Sequence, residues 1–369
     1  MTMRSYVVGG AVRDALLGLP VKDHDHVVVG ATPEQMIAAG FRAVGKDFPV
    51  FLHPHTHEEY ALARTERKTA PGYHGFVFHA APDVTLEQDL VRRDLTINAM
   101  AQAEDGSIVD PHNGRQDLQA RLFRHVSDAF AEDPVRILRI ARFAARLPDF
   151  TVADGTNALM RRMVDEGEVD ALVPERVWQE LARGLMEGRP SRMLAVLRDC
   201  GALARILPEL DALWSESLLR TIDHAAALDH PLEVRFAVLM RTLAAVAPIQ
   251  AVCKRLKVPN ECRDLAVMTA REQDGIKRAL DLSAEAIVTL FERSDAFRKP
   301  ERFAQLLLAA ACGADDLPQG PHLARALDAA RAVNAGEVAA RYADRKAGIA
   351  GAVHTARVDA VQRMLHQAN

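Results

Sequence analysis

A chain of 369 residues with 49% apolar and 26% charged side chains reads as a folded globular protein of two or three domains, not a disordered or fibrous one. No apolar run approaches the ~20 residues that span a bilayer, and MTMRSYVVGG carries no hydrophobic signal region, so a cytoplasmic protein with no membrane partner is expected. The four scattered cysteines argue against a zinc ribbon and suit a reducing compartment, while a net charge of -4 neither advertises nor excludes a nucleic-acid partner.

Tyr6-Val7-Val8 is a short apolar strand ending in Gly9-Gly10, and residues 11–17 then read as a helix stopped by Gly18 and Pro20. Residues 26–29 form a valine-rich strand entered through Asp23 and Asp25. Residues 49–53 and 59–66 read as further strands. Residues 97–103 and 107–109, joined across Glu104-Asp105-Gly106, have the pattern of a hairpin. Beyond Asp133 helical periodicity runs almost without interruption to the end. The coarse expectation is a small α/β head followed by an all-helical body.

Three stretches carry chemistry. In VKDHDHVVVG, residues i and i+2 of a strand share a face, so Asp23 and Asp25 are expected side by side with His24 and His26 turned away. Two adjacent carboxylates repel unless a cation lies between them, and their spacing suits the paired Mg²⁺ ions of phosphoryl transfer. Upstream, VVGGAVRDALLG offers two glycines that allow close backbone approach, and Arg13 in the following helix can grip a phosphate. The third stretch is EDPVRILRIARFAAR. Asp133 and Pro134 make a strong helix start, and Arg136, Arg139, Arg142 and Arg146 then share one helix face opposite an apolar one. The stripe is all arginine, the residue suited to phosphates and planar edges. HPHTH, residues 53–57, would align three histidines on one strand face, but no acidic or cysteine partner completes a metal site.

In this order, GGAVRDALLG followed by KDHDHVVVG resembles the nucleotidyltransferases of the DNA polymerase beta superfamily. More narrowly, it resembles the bacterial and eukaryotic (class II) CCA-adding enzymes, the tRNA nucleotidyltransferase and poly(A) polymerase family. ARTERK matches the strand bearing that family's third acidic residue, here Glu66, and the Gly72/Gly75 segment resembles its flexible loop. RRDLTINA matches a motif whose counterparts here are Arg93, Asp94 and Asn98, for nucleotide and ribose binding. DPHNGRQDL resembles the hinge after the head, with Asn113 standing where the family often has glycine. EDPVR matches the motif whose Asp and Arg act as a protein template for the base, here Asp133 and Arg136, with Arg139 and Arg142 as further nucleotide-binding arginines. The chemistry agrees. Cytosine and adenine both present an amino donor beside a ring-nitrogen acceptor, which a carboxylate and a guanidinium complement, whereas guanine and uracil do not. PERVWQEL resembles the neck motif that follows.

The resemblance implies a nucleotidyltransferase head with a mixed sheet of about five strands over residues 1–127, a helical neck over 128–205 and a helical body over 206–369. It implies an enzyme adding C, C and A to tRNA from CTP and ATP, as a monomer or dimer. Catalysis would rest on Asp23, Asp25 and Glu66, Asp23 and Asp25 would bind Mg²⁺, and Gly9, Gly10 and Arg13 would bind nucleotide with the residues above. A poly(A) polymerase, an A-only adding enzyme and a non-catalytic tRNA-binding protein are the rival readings. Some relatives carry a His-Asp phosphohydrolase dyad in the body. Here it would fall at Arg241-Thr242, and no such activity is expected.

Overall fold

The computed structural model describes residues 3–21, 23–44, 50–68, 76–313, 318–341 and 346–367, with backbone alone for 66–68, 76–78 and 346. The Gly72/Gly75 segment lies outside the described residues, as does the side chain of Glu66. The chain separates into two compact units, Met1–Val177 with Arg192–Ile206, and Trp178–Ser191 with Leu207–Asn369.

The first unit is built on a mixed sheet. Its strands are β1 (Arg4–Val8), β2 (Asp25–Val29), β3 (Arg42–Val44), β4 (Val50–Leu52), β5 (Glu59–Leu62), β8 (Ala101–Gln102) and β9 (Ile108–Val109), ordered β3-β4-β5-β2-β1-β8-β9. The sheet thus has seven strands, not about five, because short pairs extend both edges of the central β5-β2-β1 set. Only β2 and β5 run parallel; the other neighbours are antiparallel. A separate ribbon pairs β6 (Thr65–Lys68) with β7 (Phe76–His79). The segment read as one strand over 59–66 therefore breaks at Ala63-Arg64 into β5 and β6.

The valine run of β2 is explained by burial on both sheet faces. Val27 packs with Val8, Leu90, Ala99 and Ala101 on one side, and Val28 with Met36, Phe51 and Leu62 on the other. Helix α1 (Gly10–Leu16) follows β1 directly, α2 (Pro33–Ala38) supplies Met36, and α3 (Leu86–Val91) supplies Leu90. Both α2 and α3 start on a reciprocal capping box, Thr32/Gln35 and Thr85/Gln88.

Two predicted strands differ. Residues 96–98 form a 3₁₀ turn, and only Ala101–Gln102 pairs as a strand with β9. The HPHTH histidines lie in the turn between β4 and β5, not on a strand face. His53 Nδ1 accepts the backbone N–H groups of His55 and Thr56, and His57 sits at φ 60°. Asn113 is accommodated by the same logic that favours glycine at its position. It adopts φ 58°, ψ 34°, where asparagine is the best tolerated non-glycine residue, and it leads into α4 (Gly114–Ala120). Gly114 itself is irreplaceable, because a Cβ there would lie 2.3 Å from the Thr96 carbonyl oxygen.

Helix α5 (Val135–Arg146) follows the predicted pattern. Ile137, Leu138, Ile140, Ala141, Ala144 and Ala145 are buried, and the four arginines occupy the less buried face.

The second unit is helical throughout its described secondary structure. At the dyad position, Arg241 donates to the carbonyls of Ala309, Ala310 and Cys312 and so satisfies the C-terminal end of the helix Pro300–Ala311. Nearby, His224 Nδ1 accepts the Gly313 N–H at 2.9 Å. All four cysteines are buried free thiols, and burial pushes Cys200 and Cys253 up to about 11 and Cys262 to about 12.

Candidate active site

The site is assembled where β1 ends. Antiparallel pairing sets Asp25 opposite Val8, immediately before the Gly9-Gly10 turn. Gly9 has φ 72°, and a Cβ there would stand 3.0 Å from Arg93 Nη1, so glycine is needed both for the turn and for the approach of that guanidinium. Beside this turn opens a cavity of ≈ 430 Å³ whose wall includes Asp25, Arg93, Asp94, Asn98, Asp133, Arg136 and Arg139.

Most of the sequence-predicted residues meet here. Gly9, Gly10 and Arg13 also line the cavity. Asp23 precedes the first residue of β2, so the strand carries one of the two aspartates, not both. Both carboxylates are exposed. Arg142 is not part of the cavity wall and lies over the Phe143 ring, 4.5 Å from its centroid.

One buried chain of polar contacts shapes the cavity floor. Arg146 Nη2 donates to Asp14 Oδ2 at 2.7 Å, and Arg13 Nε donates to Asp14 Oδ1 at 2.9 Å. Arg13 Nη1 then donates to Asn98 Oδ1 at 2.7 Å, and Asn98 Nδ2 to Asp94 Oδ1 at 3.0 Å. Arg139 Nε closes the series on Asp94 Oδ2 at 2.7 Å. Asp94 Oδ1 also accepts the Leu95 N–H. Burial alone would raise the Asp94 carboxyl, but the Arg139 charge, the Asn98 hydrogen bond and the Arg136 charge outweigh it and hold the group far below the usual carboxylate range. Burial lowers the Arg13 guanidinium against the opposing pull of Asp14, and its side chain is 2% exposed.

Another part of the wall is the start of α5. The helix begins at Val135 with Pro134, not Asp133, at its N-cap, yet Asp133 Oδ1 still accepts the Val135 N–H at 3.2 Å from one residue further back. Arg176, on the helix Pro174–Leu185, forks onto the same carboxylate at 3.1 and 2.8 Å. Arg136 donates to the carbonyls of Ala129 and Arg92 at 2.8 and 2.7 Å.

Residues 5–124 match the family model described as the poly A polymerase head domain, and residues 149–213 match one described as a probable RNA and SrmB-binding site of polymerase A. The "Multifunctional CCA protein" of Herminiimonas arsenicoxydans is 58% identical, covering 99% of this chain and 99% of its own length. That of Janthinobacterium sp. (strain Marseille) is 59% identical, covering 98% of each. The chain belongs to the class II CCA-adding enzyme family. The crystal structure of the Bacillus stearothermophilus CCA-adding enzyme in complex with CTP matches the fold with a TM-score of 0.74 at 25% identity, over 100% of this chain and 93% of that one.

Three further residues that line the cavity, Arg92, Phe143 and Arg176, were not among the predicted site residues. Phe143 carries a legible signal, since it interrupts the arginine stripe. The guanidinium carbons of Arg13 and Arg139 stand 5.0 and 5.6 Å from its ring centroid. Arg176 falls inside the PERVWQEL motif, but its pairing with Asp133 could not be read, because the two are 43 residues apart.

The depressed Asp94 carboxyl fixes a pH dependence. Its contribution to stability is complete above the unfolded carboxylate value of about 3.9 and declines as pH falls below it. Replacing Asp94 with asparagine strands Arg139 and is expected to cost about 2–4 kcal/mol near neutral pH. Hydrogen exchange of the α5 amides at pH 7 and at about 3.5 checks this. The wild type should lose more protection on acidification than Asp94→Asn, and an equal loss in both would contradict the assignment.

Proposed function

We propose that this nucleotidyltransferase adds C, C and A to the 3′ end of tRNA from CTP and ATP, releasing pyrophosphate, with Mg²⁺ as its metal and the cytoplasm as its location. The observation that carries the reading is one cavity lined by Asp25, Gly9 and Arg93 together with Asp133 and Arg136 at the start of α5, in a chain 58% identical to its CCA relatives.

Two exposed carboxylates fit a hard divalent cation, because Mg²⁺ characteristically takes one or two protein carboxylates and completes its shell with water and substrate phosphates. Asp23 and Asp25 would hold it, and it would supply activation of the attacking 3′-hydroxyl and charge neutralisation at the α-phosphate. Arg93, lying over Gly9, takes the phosphates. Arg13, committed to Asp14 and Asn98, adds positive potential and holds Asn98 against Asp94. Asp94 and Asn98 then serve the ribose.

At the base end, Asp133 Oδ2 is bonded to Arg176 and keeps a second lone pair for an amino donor. The carboxylate can therefore cap the helix and read cytosine or adenine without leaving its place. A buried mismatch with uracil or guanine leaves unmet groups costing roughly 1–3 kcal/mol each. Residues 149–213, with their probable RNA-binding match, are the part assigned to tRNA.

The relatives are named multifunctional, and the alignment with the first runs over 409 positions, more than the 369 residues present here. With Arg241 and Thr242 at the dyad position, neither a histidine nor a carboxylate is offered to a metal there. We infer that the transferase activity is kept without the dyad's phosphohydrolase. Assaying 2′,3′-cyclic phosphate hydrolysis with added divalent metals should give no turnover above a metal-free blank, and metal-dependent turnover would overturn this inference.

The main reading is tested by supplying each NTP in turn to tRNA lacking CCA. Two C and one A should be added and then stop, and Asp23→Ala with Asp25→Ala should reduce the rate by a factor on the order of 10³ or more. Incorporation of A alone, an unlimited A tail, or unchanged activity in the double variant would defeat it.

A further inference from the structure

Asp89 on α3 is fully buried, is not itself part of the cavity wall, and belongs to none of the motifs above. Its contacts are nonetheless concentrated on cavity residues. Oδ1 accepts from Arg92 Nε at 3.1 Å and Arg92 Nη2 at 2.7 Å, and also from the Arg64 backbone N–H at 3.3 Å. Oδ2 accepts from Arg93 Nη2 at 3.2 Å. One carboxylate therefore holds two consecutive arginines, together with the backbone just ahead of β6.

The two arginines are used differently. Arg92 is gripped through two nitrogens by a single oxygen, and its carbonyl accepts from Arg136 Nη2 at 2.7 Å. Arg93 is held through one nitrogen, its Nη1 lies over Gly9, and its buried Nε has no hydrogen-bond partner. A guanidinium held through one nitrogen, with Nε unmet among the described residues, is arranged to take an anion. Burial on its own would raise the Asp89 carboxyl, but the charges and hydrogen bonds of Arg92 and Arg93 overcome this and keep it below the ordinary range. The carboxylate is thus an anionic anchor at working pH.

We propose that Asp89 is a positioning residue that sets Arg93 for the triphosphate and, through the Arg92 peptide, sets Arg136 for the base. The proposal rests on the nucleotide-binding reading above. It links the two ends of the incoming nucleotide through a group that touches neither. Asparagine at this position keeps the shape but turns one acceptor into a donor facing guanidinium N–H groups. Arg93 and Arg92 can then no longer both be held.

The test uses the full chain with tRNA lacking CCA, active-site titrated so that inactive protein does not count. In Asp89→Asn the KM for CTP and ATP should rise about tenfold or more with kcat changed far less, and UTP misincorporation relative to CTP should increase. A merely structural role would reduce the active fraction and leave the KM of the remaining enzyme and its base selectivity unchanged. That result would overturn the proposal. Should Asp89→Asn fail to fold, the charge-compensated pair Asp89→Asn with Arg92→Gln removes the stranded arginine. The KM should remain raised because Arg93 has lost its anchor, and a wild-type KM would overturn the proposal. Wild-type protein that fails to add C and A would refute the functional reading itself, whereas active wild type with unaffected variants would refute Asp89 alone.

Discussion

The cavity depends on the buried series Arg146, Asp14, Arg13, Asn98, Asp94 and Arg139. Its members come from α1, the 3₁₀ turn Thr96–Asn98 with Asp94 just ahead of it, and α5, so side chains tie a strand-to-helix turn to a distant arginine helix. Placing Arg13, Asp14 and Asp94 out of water is costly, and the arrangement persists because each carboxylate oxygen and each amide atom in the series has a partner, with Arg139 and Arg146 at its part-exposed ends. Removing one member strands the next. Such a series fixes distances between groups that apolar packing alone would leave free to adjust, and that rigidity suits the proposed alignment of a phosphate and a base in one cavity.

The electrostatics of the cavity run against those of the chain. Its wall holds six arginines and three aspartates, whereas the whole chain carries a formal charge of -4. The excess positive charge complements a polyphosphate, and a concave wall of one sign raises the local concentration of anions. Within that field the arginines are not equivalent. Arg13 is buried and committed at both edges, Arg136 and Arg176 are turned onto protein acceptors, and Arg93 keeps an unmet buried nitrogen. Composition alone could not show this division of labour, because it depends on which carboxylate or carbonyl each guanidinium reaches.

Much of the first unit was legible from local pattern. The valine run of β2 and the arginine stripe of α5 are written in residues two to four apart, and both form as read. The motif order also located the cavity, since most of its wall falls within the recognised segments. What could not be read depends on contacts distant in sequence or on turn geometry. HPHTH alternates like a strand, yet His53 captures the following backbone N–H groups and closes a turn. Asp23 and Asp25 look like one strand pair, but β2 begins only at Asp25. The Arg176 fork on Asp133 and the Asp89 clamp on Arg93 involve side chains whose charge balance is visible only when the helices are folded.

If the series acts as one unit beneath the proposed nucleotide site, its two ends are energetically coupled. A double-mutant cycle measures this, pairing Asp14→Asn with Arg139→Gln and reading the dissociation constant for CTP by calorimetry. The two residues are joined through Arg13, Asn98 and Asp94, and also through Arg146 on the helix that carries Arg139. A coupling energy of about 0.5–3 kcal/mol is predicted. Effects that add to within about 0.3 kcal/mol would contradict the account, because they would mean that the ends of the cavity floor are set independently.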